Sequence, residues 1–338
     1  MAQPRISAYL PPDIDPTKAA LAFGRRALPK LNEELQSAEL LTQQRALMAL
    51  CDLVHDPEKV YQAIEIGFLD NLKTLLGHPD NTIRQKATEV LYLLSMHSVG
   101  RQGLIQNGVI SALTGLLDDP PSPTFLPCLL PGAAGVLQAG LIPPLVLKLQ
   151  TELDEILELI LGTLSNCLRM EVSEALATGA IAALREKLTH PSAAIRSKAA
   201  QVLLEISSHP EAKLPVCEEE VIPVLVSLLG DTDPAVQASA TGALMFALVT
   251  PQGRASAMAA AAIPPLLKLV AEETSTARLN AIKALTLLAE LPEGRETLLD
   301  HTGTFQECLD DPREVVKRAA QTAIRAIEWK PFCSRDLF

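Results

Sequence analysis

VIPVLVSLLGDTDPAVQASATGALMFAL, residues 221–248, decides the fold of this 338-residue chain. Its apolar residues at 221, 222, 225, 228 and 229 have the spacing of one face of a helix. Gly230 ends that helix, and Asp233-Pro234 offers a cap and a first-turn proline to the next one. The uncharged run 235–248 is rich in small residues, which is typical of a helix buried on more than one side. Two such helices leave an apolar face uncovered, so the stretch predicts neighbouring copies of itself.

The copies recur along nearly the whole chain. Their starts lie 41, 41, 32, 39, 41, 41 and 41 residues apart, at Ala27, Phe68, Val109, Leu141, Ala180, Val221, Ala262 and Gly303. A glycine precedes several starts in the same phase: Gly67, Gly108, Gly140 and Gly179. A basic residue opens the preceding short helix, also in phase: Arg101, Lys213, Arg254 and Arg295. Three features that share one period of about 40 residues predict an all-α helical solenoid.

Composition limits the classes of function. The chain is 48% hydrophobic but only 3% aromatic, and no run of alternating β-branched and aromatic residues predicts a strand. Its net charge of −11 argues against a nucleic-acid partner, which needs a basic surface to release counterions from phosphates. Residues 1–30 hold five basic and two acidic side chains, which suit either a solvated tail or docking on an acidic surface.

No chemical site is predicted. The six cysteines are widely spaced without a CxxC pair, so neither a disulfide framework nor a metal site is expected. HExxH, GxSxG, phosphate-binding glycine loops and EF-hand patterns are absent from the sequence. His78, His190 and His209 each precede a proline, which places them in turns between helices. Paired acids such as Asp154 and Glu155 suit solvated helix starts better than catalysis. We therefore expect no enzyme, no cofactor and no small-molecule substrate.

The predicted organisation has three parts. Residues 1–26 form an extended segment and a capping helix, residues 27–330 form the solenoid, and residues 331–338 form a tail. The solenoid is irregular at 118–140, where five prolines (120, 121, 123, 127 and 131) exclude a normal long helix. Residues 120–147 lack charge, but the prolines and the repeat that resumes at Leu141 disfavour a membrane span. A short helix over 133–139 is expected to lead into that repeat.

Several stretches resemble a known family. GLIPPLVLKL (140–149), VIPVLVSLL (221–229) and AIPPLLKLV (262–270), each followed by a second helix, resemble armadillo repeats. Residues 27–58, 83–101, 194–207, 242–254 and 277–295 are similar to the armadillo-repeat proteins of the radial spoke in motile cilia and flagella. The resemblance implies a right-handed superhelix of about eight repeats, one of them short and distorted. It also implies a non-catalytic subunit of the axonemal radial spoke.

From the same resemblance we expect other radial-spoke and axonemal proteins as partners, and localisation in the cytoplasm, in the cytoskeleton and along the axoneme. The first residues lack the basic start and apolar run of a secretory signal, in line with that expectation. The alternative is a soluble peptide-binding adaptor in transport or signalling, which would use the same concave groove.

Armadillo proteins that carry peptides place an asparagine late in each long helix, facing that groove. The matching positions here are Asp52, Leu93, Asn166, Glu205, Phe246, Leu287 and Arg325. Only Asn166 keeps the asparagine, which weakens the adaptor interpretation and favours one dedicated partner. The candidate partner-binding residues are Asp52, Asn166, Glu205, Phe246 and Arg325.

Three further residue patterns lead to predictions outside the groove. The basic pattern of residues 83–87 recurs at 195–199, and a matching basic residue lies at Arg45 and at Arg318; a helix-packing corner is the favoured role and a partner contact the alternative. Asp311-Pro312 is expected to start the last long helix. Trp329, the only tryptophan, is expected to fold over the end of the solenoid, with a partner contact as the alternative.

Overall fold

The computed structural model describes residues 26–113, 116, 133–272 and 276–329 of the chain. Every regular element in these residues is helical, which confirms the all-α prediction. The chain divides into two compact units, Met1–Leu141 and Ile142–Phe338. The predicted capping helix, most of the irregular stretch 118–140 and the tail 331–338 lie outside the described residues.

In the first unit, the described helices follow one another in the order short, middle and long. The helices are α1 (Ala27–Glu34), α2 (Leu40–Leu53), α3 (Pro57–Glu65), α4 (Phe68–Leu76), α5 (Asn81–Ser95), α6 (Ser98–Gln106), α7 (Val109–Leu113) and α8 (Ala133–Gln138). The long helices α2 and α5 pack side by side, and the middle helices α4 and α7 do the same. The short helix α8 confirms the helix expected over 133–139, and it packs against α7.

The second unit continues the same order of helices. They are α9 (Ile142–Lys148), α10 (Asp154–Leu168), α11 (Ser173–Ala177), α12 (Ala180–Lys187), α13 (Ala193–Ser208), α14 (Lys213–Glu218), α15 (Val221–Leu228), α16 (Pro234–Ala247), α17 (Pro251–Ala259), α18 (Ile263–Ala271), α19 (Arg278–Leu288), α20 (Pro292–Leu299), α21 (Thr302–Glu307) and α22 (Glu314–Glu328). The long helices α10, α13, α16, α19 and α22 pack in chain order, each against the next.

Local sequence explains where the helices begin. The Asp233 carboxylate accepts hydrogen bonds from the backbone N–H groups of Ala235 and Val236 at 2.7 and 3.3 Å, and Pro234 occupies the first position of α16. Asp80 caps α5 in the same way, and its carboxylate accepts from the backbone N–H groups of Thr82 and Ile83. These caps satisfy N–H groups that a helix end otherwise leaves unpaired.

A left-handed residue separates the short helix from the middle helix that follows at six of these junctions, and the last junction, before Thr302, has none. Gly67, Gly108, Gly140 and Gly179 have φ values between 63° and 88°, as the sequence pattern predicts. Glu220 and Ala261 adopt the same conformation, at φ 53° and 55°, in the next two repeats. The left-handed corner therefore forms at two positions that do not carry glycine.

The core of each unit is aliphatic, as the low aromatic content predicts. In the repeat quoted above, Val221, Ile222 and Leu225 of α15 are fully buried, and so are Ala240 and Leu244 of α16. Alanines allow the long helices to approach closely, and leucine and isoleucine fill the space between the layers. Burying such side chains contributes roughly 25 cal/mol per Å² of apolar surface.

Asp311 corrects one prediction. The last long helix begins at Glu314 with Arg313 at its N-cap position, so Asp311-Pro312 does not start it. The Asp311 side chain is instead buried, with its carboxylate 2.8 Å from an Arg278 nitrogen and 3.1 Å from Nε of Arg313. The reason is tertiary: Arg278 needs a buried counter-charge, and Asp311 supplies it.

No single helix among the described residues is long and apolar enough to cross a membrane. Helices α17 and α18 satisfy the length and composition criteria only as a pair, and they meet at 89°.

Candidate functional site

An open apolar groove runs across three long helices of the second unit. It has a volume of about 570 Å³. Its lining residues are Met245, Phe246 and Val249 of α16, Leu279, Lys283, Thr286 and Leu287 of α19, and Val315, Arg318, Ala319 and Thr322 of α22. On each helix they recur three or four positions apart, so one face of each helix contributes to the groove. We call this feature the apolar groove.

The two threonine hydroxyls in the apolar groove form hydrogen bonds within their own helices. The Thr286 hydroxyl donates to the Ile282 carbonyl at 2.8 Å, and the Thr322 hydroxyl donates to the Arg318 carbonyl at 2.9 Å. Because both hydroxyls bond to carbonyls of their own helices, the threonines offer no free hydroxyl donor to a ligand in the groove. The polar groups that remain available are the Lys283 ammonium and the Arg318 guanidinium.

The neighbouring long helices present a different surface. Between α10 and α13, Arg169 bonds Glu205 at 2.8 Å, and Lys198 bonds Glu158 at 3.3 Å. The hydrogen bond that Arg169 donates to the Glu205 carboxylate raises the pKa of Arg169, which stays charged. Surface ion pairs of this kind add little stability, but they occupy the side chains that take part. This part of the long-helix surface is covered by ion pairs, whereas the apolar groove is lined mainly by apolar side chains and contains two cations and no carboxylate.

The five residues predicted from the sequence do not form one cluster. Phe246 is half-buried and lines the apolar groove. Glu205 is only 8% exposed and is held by Arg169. Asp52, Asn166 and Arg325 are exposed on α2, α10 and α22, outside the groove lining. Their binding role stays a prediction, and Phe246 is the residue that the structure places in a cavity.

The matching basic residues divide into two roles. Arg84 donates from one guanidinium nitrogen to the carbonyls of His78 and Pro79, and Arg196 donates in the same way to His190 and Pro191. Both therefore hold the corner before their helix, as predicted. Arg318 does not: it is exposed, pairs with Glu314 at 3.0 Å and lines the apolar groove.

Sequence reasoning missed the cationic side of the groove. Lys283 lies four residues before Leu287, so its position on the exposed face of α19 follows from helical spacing alone. Helical spacing therefore predicts that Lys283 is exposed beside Leu287. The comparison of repeats used only one position in each long helix, and one position does not reveal a surface that extends over several helical turns. Leu279 was missed for the same reason.

The described residues show no arrangement suited to catalysis. They contain no group of three or more His, Cys, Asp and Glu side chains that could hold a metal ion. The turn histidines have structural partners: Nδ1 of His78 accepts from the Asp80 N–H at 3.0 Å, whereas Nε2 of His209 donates to the Leu168 carbonyl at 2.9 Å. Burial raises the pKa of both Cys51 and Cys167 to about 12, so these groups stay protonated near neutral pH and are poor nucleophiles.

A second cleft lies in the first unit, between α1 and α3. It has a volume of about 470 Å³, and its wall includes Leu28, Tyr61 and Ile66 together with Glu58, Lys59 and Glu65. Charges of both signs line this cleft, so its lining favours neither an acidic nor a basic ligand as clearly as the apolar groove does.

Comparison with known proteins agrees with this architecture. Residues 181–286 match the family model of HEAT repeats. An engineered protein of known crystal structure is similar over 90% of this chain and 79% of its own, with a TM-score of 0.84 and 22% sequence identity. A computationally designed armadillo repeat protein for modular peptide recognition has a TM-score of 0.60 and 23% identity, over 65% of this chain and 99% of its own.

A further designed armadillo repeat protein was solved in complex with the peptide (KR)4. It is 20% identical, with a TM-score of 0.50, and the match covers 77% of this chain and 99% of that one. At such low identity these similarities concern the fold. The chain has the all-helical repeat fold of armadillo and HEAT solenoids, a type that typically supports protein binding without catalysis.

Proposed function

We propose that this chain is a non-catalytic scaffold that holds a protein partner in the apolar groove. The observation that carries this proposal is the groove itself. It leaves apolar residues such as Phe246, Leu287 and Val315 open on a helical repeat surface whose neighbouring part is closed by ion pairs. Contiguous exposed apolar surface on a folded domain marks a binding site more often than chance.

The finer proposal is that the partner belongs to the axonemal radial spoke and that the chain resides along the axoneme of cilia or flagella. Its support is the sequence similarity of residues 27–58, 83–101, 194–207, 242–254 and 277–295 to armadillo-repeat proteins of the spoke. The mechanism would be surface complementarity: the repeats present a rigid face, and the partner covers its apolar part.

Capture from ciliated cells tests this proposal. The tagged chain, expressed in place of the endogenous copy, is purified from detergent-extracted axonemes, and the enriched proteins are quantified. We expect radial-spoke proteins to be enriched. Replacing Val249 and Val315, which are 45% and 58% exposed, by Asp should reduce that enrichment about tenfold or more, because charge then enters the groove.

The matched control is Leu153→Asp, which adds one charge at a 70% exposed position outside the groove and should leave capture unchanged. Enrichment without any radial-spoke protein would refute the finer proposal. Equal capture by the Val249/Val315 variant and by the control would refute the role of the apolar groove.

A further inference from the structure

We infer that the apolar groove selects a partner segment in which apolar side chains are flanked by Asp or Glu, with Lys283 and Arg318 as the selecting groups. The inference rests on the proposed function and names the chemistry of the segment that the groove takes. It concerns only helices α16, α19 and α22.

The first step is size. A volume of about 570 Å³ lies in the usual range of binding pockets, and this groove is open along its length. Packed helices are about 8–10 Å apart, so the distance from α16 to α22 is roughly 20 Å. An amphipathic helix of about 13 residues spans that distance with three or four apolar anchors on one face.

The second step is the sign of the charge. The lining contains two cations, Lys283 and Arg318, and no carboxylate. The nearest acid on α22 is Glu314, whose exposed ion pair with Arg318 is weak and exchangeable. Glu290, which follows α19, is held by Arg254 at 3.1 Å. Lys283 is exposed and forms no ion pair with the described residues.

The third step compares segments of opposite sign. An acidic segment would give the Lys283 ammonium a partner and would compete with Glu314 for the Arg318 guanidinium. A basic segment would find no carboxylate in the lining and would place like charges together. The chain as a whole carries −11, so general attraction would favour a basic ligand. Preference for an acidic one therefore has to come from the apolar groove itself.

Three labelled peptides of about 14 residues provide the test. The first has Leu and Phe at i, i+3, i+4 and i+7 with Glu elsewhere; the second has Lys in place of Glu; the third keeps Glu but has Ser in place of the apolar residues. Their binding to the full chain is measured by fluorescence anisotropy at low and at high salt. We expect the first peptide to bind about fivefold or more tightly than either of the others, with a preference over the Lys peptide that shrinks as salt screens the charges.

Lys283→Glu is the decisive variant, because an exposed position tolerates the change without loss of folding. It should lower affinity for the acidic apolar peptide by about fivefold and reduce or reverse the preference over the Lys peptide. The matched control is Lys268→Glu, which makes the same change on the exposed side of α18, outside the groove. This control should behave as the unchanged chain does.

The inference is overturned if the Lys peptide binds as tightly as the Glu peptide, if Lys283→Glu and Lys268→Glu act alike, or if no peptide binds. It is also overturned if the chain binds the acidic peptide only after residues 330–338 are removed, since the chain itself would then fill the groove. Partner capture that depends on Val249 and Val315 but not on Lys283 would sustain the proposed function while refuting this inference.

Discussion

Arg196 and Asp231 join two successive repeats through one charged pair. The Arg196 guanidinium donates two hydrogen bonds to the Asp231 carboxylate, at 2.8 and 3.0 Å, and its third nitrogen holds the corner carbonyls of His190 and Pro191. The Asp231 side chain is 8% exposed. The hydrogen bonds from Arg196 hold the pKa of Asp231 below its ordinary value. Paired donors and acceptors of this kind fix the spacing between repeats.

Removing the Asp231 charge should destabilise the protein in a pH-dependent manner. At pH 7, Asp231→Asn is expected to lower the free energy of unfolding by about 2–3 kcal/mol, because a half-buried guanidinium loses its counter-charge. Since the native pKa lies below the unfolded one, the contribution of Asp231 is complete above about pH 4 and is lost as pH falls through the native pKa. The difference in the free energy of unfolding between Asp231→Asn and the unchanged chain should therefore be smaller at pH 3 than at pH 7.

Urea unfolding followed by circular dichroism at both pH values measures this effect. Asp300→Asn removes an exposed acid that forms no ion pair with the described residues, and it should change stability little at either pH. If Asp231→Asn lowers the free energy of unfolding by the same amount at pH 3 as at pH 7, the charge of Asp231 is not the source of its stabilising effect.

Two Asp-Pro dipeptides show how far a single residue can be interpreted from sequence. Asp233-Pro234 is predicted to cap a helix and does so, because its carboxylate accepts from the free N–H groups at the start of α16. Asp311-Pro312 was given the same role, but its carboxylate lies between Arg278 and Arg313. The local sequence is alike in both cases. The difference is an arginine 33 residues away, which only the packed repeat brings close.

At the scale of elements, a Gly-Arg pair occupies the third and fourth positions of three of the short helices. It occurs at residues 100–101, 253–254 and 294–295, in α6, α17 and α20. Each arginine donates to carbonyls at the end of the preceding long helix; Arg254, for example, bonds those of Leu248 and Val249 at 3.1 Å. A Cβ at Gly253 would overlap the Ala247 carbonyl oxygen. The pair thus lets the short helix approach while the arginine satisfies the helix end.

Replacing the glycine of this pair should therefore loosen the corner. Gly253→Ala is expected to destabilise the protein by about 1–3 kcal/mol, since the added methyl group forces α17 away from α16. Thermal unfolding measured by circular dichroism is the test. Gly303→Ala is the control, because its Cβ would meet no atom within 4 Å and alanine favours a helix. Equal melting temperatures for Gly253→Ala and Gly303→Ala would contradict the role assigned to Gly253 in the close approach of α17 to α16.

The helices themselves were largely predictable. Their bounds agree with the sequence to within one residue in α8 and α16, which were expected over 133–139 and 235–248, because amphipathic spacing and caps are local signals. The Gly-Arg pair was noticed only as a periodic arginine, and its role depends on carbonyls in another helix. Trp329 was expected to fold over the end; it stacks on Arg295, 4.8 Å from the ring centroid, yet stays 56% exposed.

At the scale of the whole molecule, repetition explains both what was predicted and what was not. A 41-residue period defines the fold and places Phe246 and Leu287 at equivalent positions, since each repeat uses the same long-helix face. The period does not say which stretch of that face is left apolar. In the second unit, ion pairs close the surface between α10 and α13, whereas α16, α19 and α22 leave the groove open. The contrast comes from the side chains in which the repeats differ, and the period does not predict those.

Axoneme retention tests the central proposal most directly. The tagged chain is expressed in ciliated cells, and the axonemes are extracted with detergent and then with high salt. A scaffold bound within the radial spoke should stay with the axoneme through detergent and appear along its length, because many contacts hold an assembled subunit. A diffuse pool that detergent releases completely, with no axonemal signal, would contradict the account and favour the soluble adaptor.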